Sequence, residues 1–274
     1  MADNILKRIV TSLGIIFAVG IVIFLLPDWA FCLLVVLFIG FSLYEFFSAV
    51  EKRNLFVYKY FGVVAGSIIP IAIYLHLGEG HANLEPFFIV IACLFTFVLQ
   101  FARKENTKDH LVSIAVTLFA LFYISWFFSF FIKIKYLPEG ARLVSFLIVV
   151  TKMGDIGAYF VGKKFGKNPL ISRISPRKTK EGAFGGLVFS VVSAILCKFF
   201  LIDFSYHHVI LLGFLLGIIG QVGDLAESLF KRDFDVKDSG ERLPGLGGVL
   251  DTIDSLLFTA PIFYFYIKIL LTPL

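Results

Sequence analysis

Residues 209–229 read VILLGFLLGIIGQVGDLAESL, and how this stretch is read decides the fold. Its first fifteen residues carry no ionisable group, and its last six carry Asp224 and Glu227. As a helix, 21 residues at about 1.5 Å each span roughly the 30 Å of a bilayer's hydrocarbon core. A helix is the economical solution there, because every backbone polar group must find its partner inside the segment. The alternation that a membrane β-barrel demands is absent.

The rest of the chain supports the same reading. Of 274 residues, 58% are hydrophobic, only 16% are charged and 34 are Phe, with mean hydropathy +0.90. That is far more apolar surface than one water-soluble core of this length needs. Further apolar segments fall near residues 9–27, 29–49, 56–77, 86–102, 111–132, 143–161, 183–201 and 249–272, which predicts nine spans and an all-α polytopic membrane bundle. The first follows Lys7 and Arg8 as a signal peptide would. It is too long for a signal h-region and runs directly into another span, so it is read as a retained helix. Cys32, Cys93 and Cys197 lie in apolar runs without CxxC or His spacing, which points to packing rather than to a disulfide framework or zinc site.

Charge fixes an expected orientation. With the N-terminus inside, 19 Lys/Arg fall on the cytoplasmic side, seven of them between Lys163 and Lys180. Five fall on the other side (Lys133, Lys135, Arg142, Lys198, Lys268), and Lys152 lies within a span. This split predicts an N-inside, C-outside topology. The chain is expected to divide into residues 1–140, spans one to five, and 141–274, spans six to nine, with cytoplasmic loops 162–182 and 230–248.

The costly residues are carboxylates inside apolar helices: Asp155 in TKMGDIGAYF (151–160), Asp224 and Glu227 in the opening stretch, and Asp251 and Asp254 in GGVLDTIDSLLF (247–258). Each costs about 2.5–3.5 kcal/mol at the centre of a span. Asp224, Glu227 and Ser228 stand at i, i+3 and i+4, and Asp251 and Asp254 at i and i+3, so each helix gathers its acids on one face. Two such faces meeting need a cation between them, and hard oxygen donors suit Mg²⁺. Glu227 and Asp254 equally fit a place at the water interface, and Asp155 an i, i+3 pair with Lys152. Cations, hydroxyls and glycines in loops 162–182 and 230–248 are what polyphosphate binding uses, among them Arg177, Lys178, Lys180, Ser175 and Thr179 in the first and Lys231, Arg232 and Lys237 before PGLGG in the second. For any one basic residue, the positive-inside bias alone also accounts for its position.

Residues 228–254, SLFKRDFDVKDSGERLPGLGGVLDTID, closely resemble the signature of the phosphatidate cytidylyltransferase (CDP-diacylglycerol synthase) family. Ser228, Lys231, Arg232, Lys237, Asp238, Pro244, Gly245, Gly247, Gly248, Asp251 and Asp254 all match it. DIGAYFVGKKFGK (155–167), ISPRKTKEGAFGG (174–186) and GDLAES (223–228) resemble its upstream blocks. The likeness covers residues 150–260; before residue 140 it is hydrophobic character alone. Leu246 stands where the family usually has His, and Thr252 where it usually has Arg.

The resemblance implies an enzyme that joins CTP and phosphatidic acid into CDP-diacylglycerol and pyrophosphate. It implies Asp224 and Asp251 as holders of Mg²⁺, in a centre that can include a second cation such as K⁺. Lys231 and Lys237 would be catalytic cations, and Ser175, Lys178, Thr179, Glu181, Ser228, Arg232, Asp238, Gly247 and Gly248 would bind CTP and its phosphates. Asp155, Glu227 and Asp254 would support them. It further implies a homodimer in the inner membrane with its site facing the cytoplasm, and no nucleic-acid partner. A CTP-dependent lipid kinase, a transporter and an inactive homologue are the competing readings. Spans one to five hold few charges along any pathway, Glu45 being the main exception, which speaks against a transporter.

Overall fold

A computed structural model of the protein describes residues 2–80, 84–103, 109–200, 204–236, 239–240, 242–243, 245 and 247–271. Among these, helices occupy all nine predicted segments: α1 (Ala2–Phe24), α2 (Asp28–Lys52), α3 (Lys59–Glu79), α4 (Glu85–Phe101), α5 (His110–Ala120) continued by a π-helical stretch and α6 (Phe127–Lys135), α7 (Gly140–Phe165), α8 (Lys180–Leu196), α9 (Tyr206–Asp233) and α10 (Val249–Tyr266). Seven spans are long and apolar enough to cross a membrane, with Val10–Phe24 and Glu85–Phe101 as shorter apolar helices. The protein is thus an all-α, multi-pass integral membrane protein. The one sheet among the described residues is a small antiparallel hairpin in the 162–182 loop, β1 (Pro169–Ile171) and β2 (Ser175–Thr179).

The chain divides into two compact units. The first holds residues 1–136 together with 234–252, so the signature loop and the first turn of α10 belong with α1 to α6. Its core is aromatic and branched: Ile39, Leu43, Phe47, Val50, Ile73, Ile124 and Phe130 are all buried. Helices α2 and α3 pack where α3 has no side chain to interpose. A Cβ on Gly62 would stand 2.4 Å from the Phe47 ring, and one on Gly66 2.3 Å from Leu43. Phe46 meets Phe234 edge-on at 5.5 Å, which fastens the start of the signature loop to α2. The aromatic run from Leu121 to Phe131 is mostly packing surface, with Tyr123, Phe128, Phe130 and Phe131 buried and Phe122 exposed.

The second unit holds residues 137–233 and 253–274. Small residues set its spacing, as expected where lipid supplies no hydrophobic drive between helices. A Cβ on Gly186 of α8 would lie 2.9 Å from the Gly154 carbonyl of α7, and one on Gly213 of α9 would lie 2.8 Å from Val191 Cα of α8. On α9, a Cβ at Gly223 would lie 2.6 Å from the Asp254 carbonyl of α10. That last contact brings the acidic turn of α9 against α10.

Candidate active site

The close approach at Gly223 has a chemical result. Asp224, Glu227 and Asp254 each offer a carboxylate oxygen, and these oxygens lie within 4.8 Å of one another. Glu227 and Asp254 are buried, at 1% and 6% exposure. Like charges so placed repel strongly in a medium of low dielectric constant, and lysines answer them. Lys178 Nζ, from β2, stands 2.7 Å from Asp224 Oδ1 and donates to Ser228 Oγ at 3.2 Å. Lys231 Nζ stands 2.6 Å from Glu227 Oε2, one turn along α9. On α7, Lys152 Nζ donates to Asp155 Oδ2 at 3.0 Å and to Ser255 Oγ at 2.8 Å. Ser255 Oγ in turn lies 2.8 Å from the same Asp155 oxygen. Asp155 is therefore tied to α10 through a serine one residue beyond Asp254.

The donor set fits a small divalent ion. At Mg²⁺–oxygen distances of about 2.1 Å, octahedral ligand oxygens sit roughly 3.0 to 4.2 Å apart, so separations up to 4.8 Å need only a slight contraction. Among the described residues of this unit, Asp224, Glu227 and Asp254 form the acidic group that could hold it.

The hairpin positions further sequence-predicted residues. Thr179 is the N-cap of α8, its Oγ1 accepting from the Gly182 amide at 3.1 Å. Glu181 accepts from the Lys167 and Asn168 amides and from Asn168 Nδ2, at 2.7–3.2 Å, binding the hairpin's entry to the start of α8. Ser175 opens β2, and Arg232 Nε reaches the Ile174 carbonyl at 3.0 Å. Thr179 and Glu181 thus have structural partners in addition to any part in nucleotide binding.

In the first unit, α10 begins in a tight turn. Leu243 and Gly247 exchange both backbone hydrogen bonds, at 2.9 and 3.1 Å, and Gly245 and Gly247 take φ of +79° and +96°, values that side chains disfavour. Asp251 lies two residues after the first residue of α10 and accepts from the Gly248 amide at 2.8 Å, the reach-back half of a capping box. It also accepts from the Ser239 amide at 3.1 Å. Thr252 Oγ1 bonds the Gly248 carbonyl at 3.1 Å. Lys237 and Asp238, and the Leu246 substitution, lie outside the described residues.

Glu45 of α2, which sequence reasoning marked only as an exception among the early spans, is tied to this turn. Its carboxylate is 2% exposed and accepts from the Leu250 amide at 3.0 Å, Ser239 Oγ at 3.3 Å and Arg242 Nη1 at 3.2 Å. The signal available in the sequence was the cost of a carboxylate in an apolar helix. Its partners, about 200 residues away, gave none.

A bundle of apolar helices that buries a carboxylate cluster among lysines has the donors to hold a divalent ion and the cations to meet an anionic group. The model of the cytidylyltransferase family matches residues 6–270, and the chain belongs to that family. A phosphatidate cytidylyltransferase of Bacillus subtilis (strain 168) is 38% identical over 193 residues, 70% of each chain. One of Synechocystis sp. is 30% identical over 302 aligned residues, 97% of each chain. One of Staphylococcus aureus (strain COL) is 39% identical over 167 residues, 60% of this chain and 63% of its own.

Proposed function

We propose that the protein transfers CMP from CTP to phosphatidic acid, forming CDP-diacylglycerol and pyrophosphate. Family membership across residues 6–270 carries the reading, and the acid and lysine cluster around Asp224 supports it. In the reaction, an oxygen of the lipid phosphate attacks the α-phosphorus of CTP. A new phosphorus–oxygen bond forms, the bond to the α–β bridging oxygen breaks, and that oxygen leaves with pyrophosphate. The lipid phosphate is already anionic at neutral pH, so no protein nucleophile is required, and catalysis rests on positioning and charge neutralisation.

Mg²⁺, when bound, would supply charge neutralisation to the phosphates. Asp224, Glu227 and Asp254 would hold it; the family resemblance separately names Asp251 as a metal holder and a second cation such as K⁺. Lys178 and Lys231 rest on Asp224 and Glu227. Both ammonium groups would offset phosphate charge as CTP binds. The family resemblance names Ser175, Ser228, Arg232, Lys237, Asp238, Gly247 and Gly248 as CTP-binding residues, with Asp155 supporting α10. The site faces the cytoplasm of an inner membrane, where CTP arrives from water and the lipid from the bilayer. The homodimer rests on family resemblance alone.

The test is purified protein in lipid nanodiscs with phosphatidic acid, labelled CTP and Mg²⁺. Labelled CDP-diacylglycerol and pyrophosphate are expected. A phosphorylated lipid with CDP would show a kinase instead, and no product with any divalent metal would show an inactive homologue.

A further inference from the structure

Glu45 sits in α2 among Ser42, Leu43, Phe46 and Phe47, all buried. A carboxylate at such depth is retained only with strong partners, and each of the three described here comes from residues 239–250. The fit is close on the other side as well. A Cβ on Gly240 or on Gly248 would stand 2.5 Å from a Glu45 carboxylate oxygen. Arg242 is held by Glu45, by the Tyr44 ring 4.5 Å from its guanidinium and by the Phe41 ring at 5.4 Å. Ser239 and the Gly248–Leu250 stretch therefore lie between two carboxylates. Ser239 gives its hydroxyl to Glu45 and its amide to Asp251, while Gly248 gives its amide to Asp251 and Leu250 gives its amide to Glu45.

We propose that Glu45 is a positioning residue, whose buried carboxylate fixes the 239–250 turn and thereby the orientation of Asp251. The proposal rests on the cytidylyltransferase reading for its catalytic consequence. Its structural half stands on the contacts alone. Two other acids of the first unit pair with lysines, Glu85 with Lys133 at 2.8 Å and Glu51 with Lys59 at 3.1 Å.

The experiment uses the full chain in nanodiscs, with hydrogen exchange at the Gly248 and Leu250 amides read beside steady-state kinetics. Glu45→Gln keeps the size of the side chain and loses the charge. It is expected to speed exchange at Leu250 by about tenfold or more, since hydrogen bonds to a charged acceptor are the stronger kind. It should lower kcat by a similar factor and leave KM for phosphatidic acid within about twofold. Glu45→Asp, which keeps the charge, should recover part of both. Unchanged exchange at Leu250, or faster exchange with full kcat, would overturn the proposal. If Glu45 variants do not fold, Ser239→Ala removes one bond from the opposite side while keeping the amide to Asp251, and unchanged kcat there would overturn it equally. A wild-type protein without turnover would sink the functional reading, and exchange alone would then decide whether Glu45 anchors the turn.

Discussion

Asp254 is the residue at which structure and chemistry meet most sharply. It is buried on α10, and its carboxylate is joined there by those of Asp224 and Glu227 from α9. Removing one of three crowded carboxyl groups relieves crowding in the metal-free protein and removes a ligand from the metal-bound one. Asp224→Asn and Asp254→Asn should therefore lower turnover by about 100-fold or more. Mg²⁺ is expected to raise the Tm of the wild-type protein through binding linkage, and these variants should abolish that rise. A thermal melt with and without Mg²⁺ checks this, and a variant that still gains the full shift would exclude that residue as a ligand. Thr179 separates two roles in the same way. If the cap to Gly182 is its main part, Thr179→Ala loses about 1 kcal/mol of stability and Thr179→Ser keeps it. Melting of the two variants decides. The acids themselves were legible in the sequence, because a carboxylate in an apolar helix is conspicuous by its cost. Which acids share oxygens was not, because helical spacing orders groups along one helix and says nothing of the register between two.

At the scale of elements, that register is set by backbone contact. Gly223 of α9 lies against the Asp254 carbonyl, so a methyl group there meets backbone that cannot turn aside. Gly20 of α1 has nothing within 4 Å of its Cβ position. Two formally identical substitutions should therefore differ in sign. Gly20→Ala is expected to leave the protein unchanged or stabilise it by up to about 1 kcal/mol through helix propensity. Gly223→Ala should destabilise it by about 1–3 kcal/mol and lower turnover, as overpacking does. Melting curves of both variants, with turnover measured alongside, check the contrast. Equal effects would mean that Gly223 is not a packing contact. Among the described residues, the helices in all nine predicted segments were legible because each apolar run carries its own signal. The hairpin of β1 and β2 was not. Its strands are three and five residues long, and residues such as Arg173, Arg177 and Lys178 read as a plain basic loop. What holds the hairpin's end in place is the Glu181 carboxylate on the Lys167 and Asn168 amides, a contact between loop and helix with no periodicity to betray it.

At the scale of the whole molecule, the signature segment 228–254 is divided between units. Ser228 to Asp233 end α9 in the second, and Phe234 to Thr252 pack with the N-terminal helices of the first. A reading along the chain follows the signature as one block; the packing of Phe234 on Phe46 and of Arg242 on Glu45 is what draws its middle away. The side of the membrane on which that signature lies is open to a direct test. The 19 to 5 division of Lys and Arg predicts the hairpin loop in the cytoplasm and the turn before α9 on the opposite face, because basic residues near span ends are retained on the cytoplasmic side. In a chain with its three cysteines replaced, Arg173→Cys should react with an impermeant maleimide only in inside-out vesicles, and Ser205→Cys only in right-side-out vesicles. Both positions lie outside the long apolar spans, so reactivity reports sidedness rather than burial in lipid. The reverse pattern would turn the bundle over and place the Asp224 cluster away from CTP, which no rearrangement of side chains could repair. Labelling of both positions from one side would mean an even number of crossings between them, and would remove α8 from the spans.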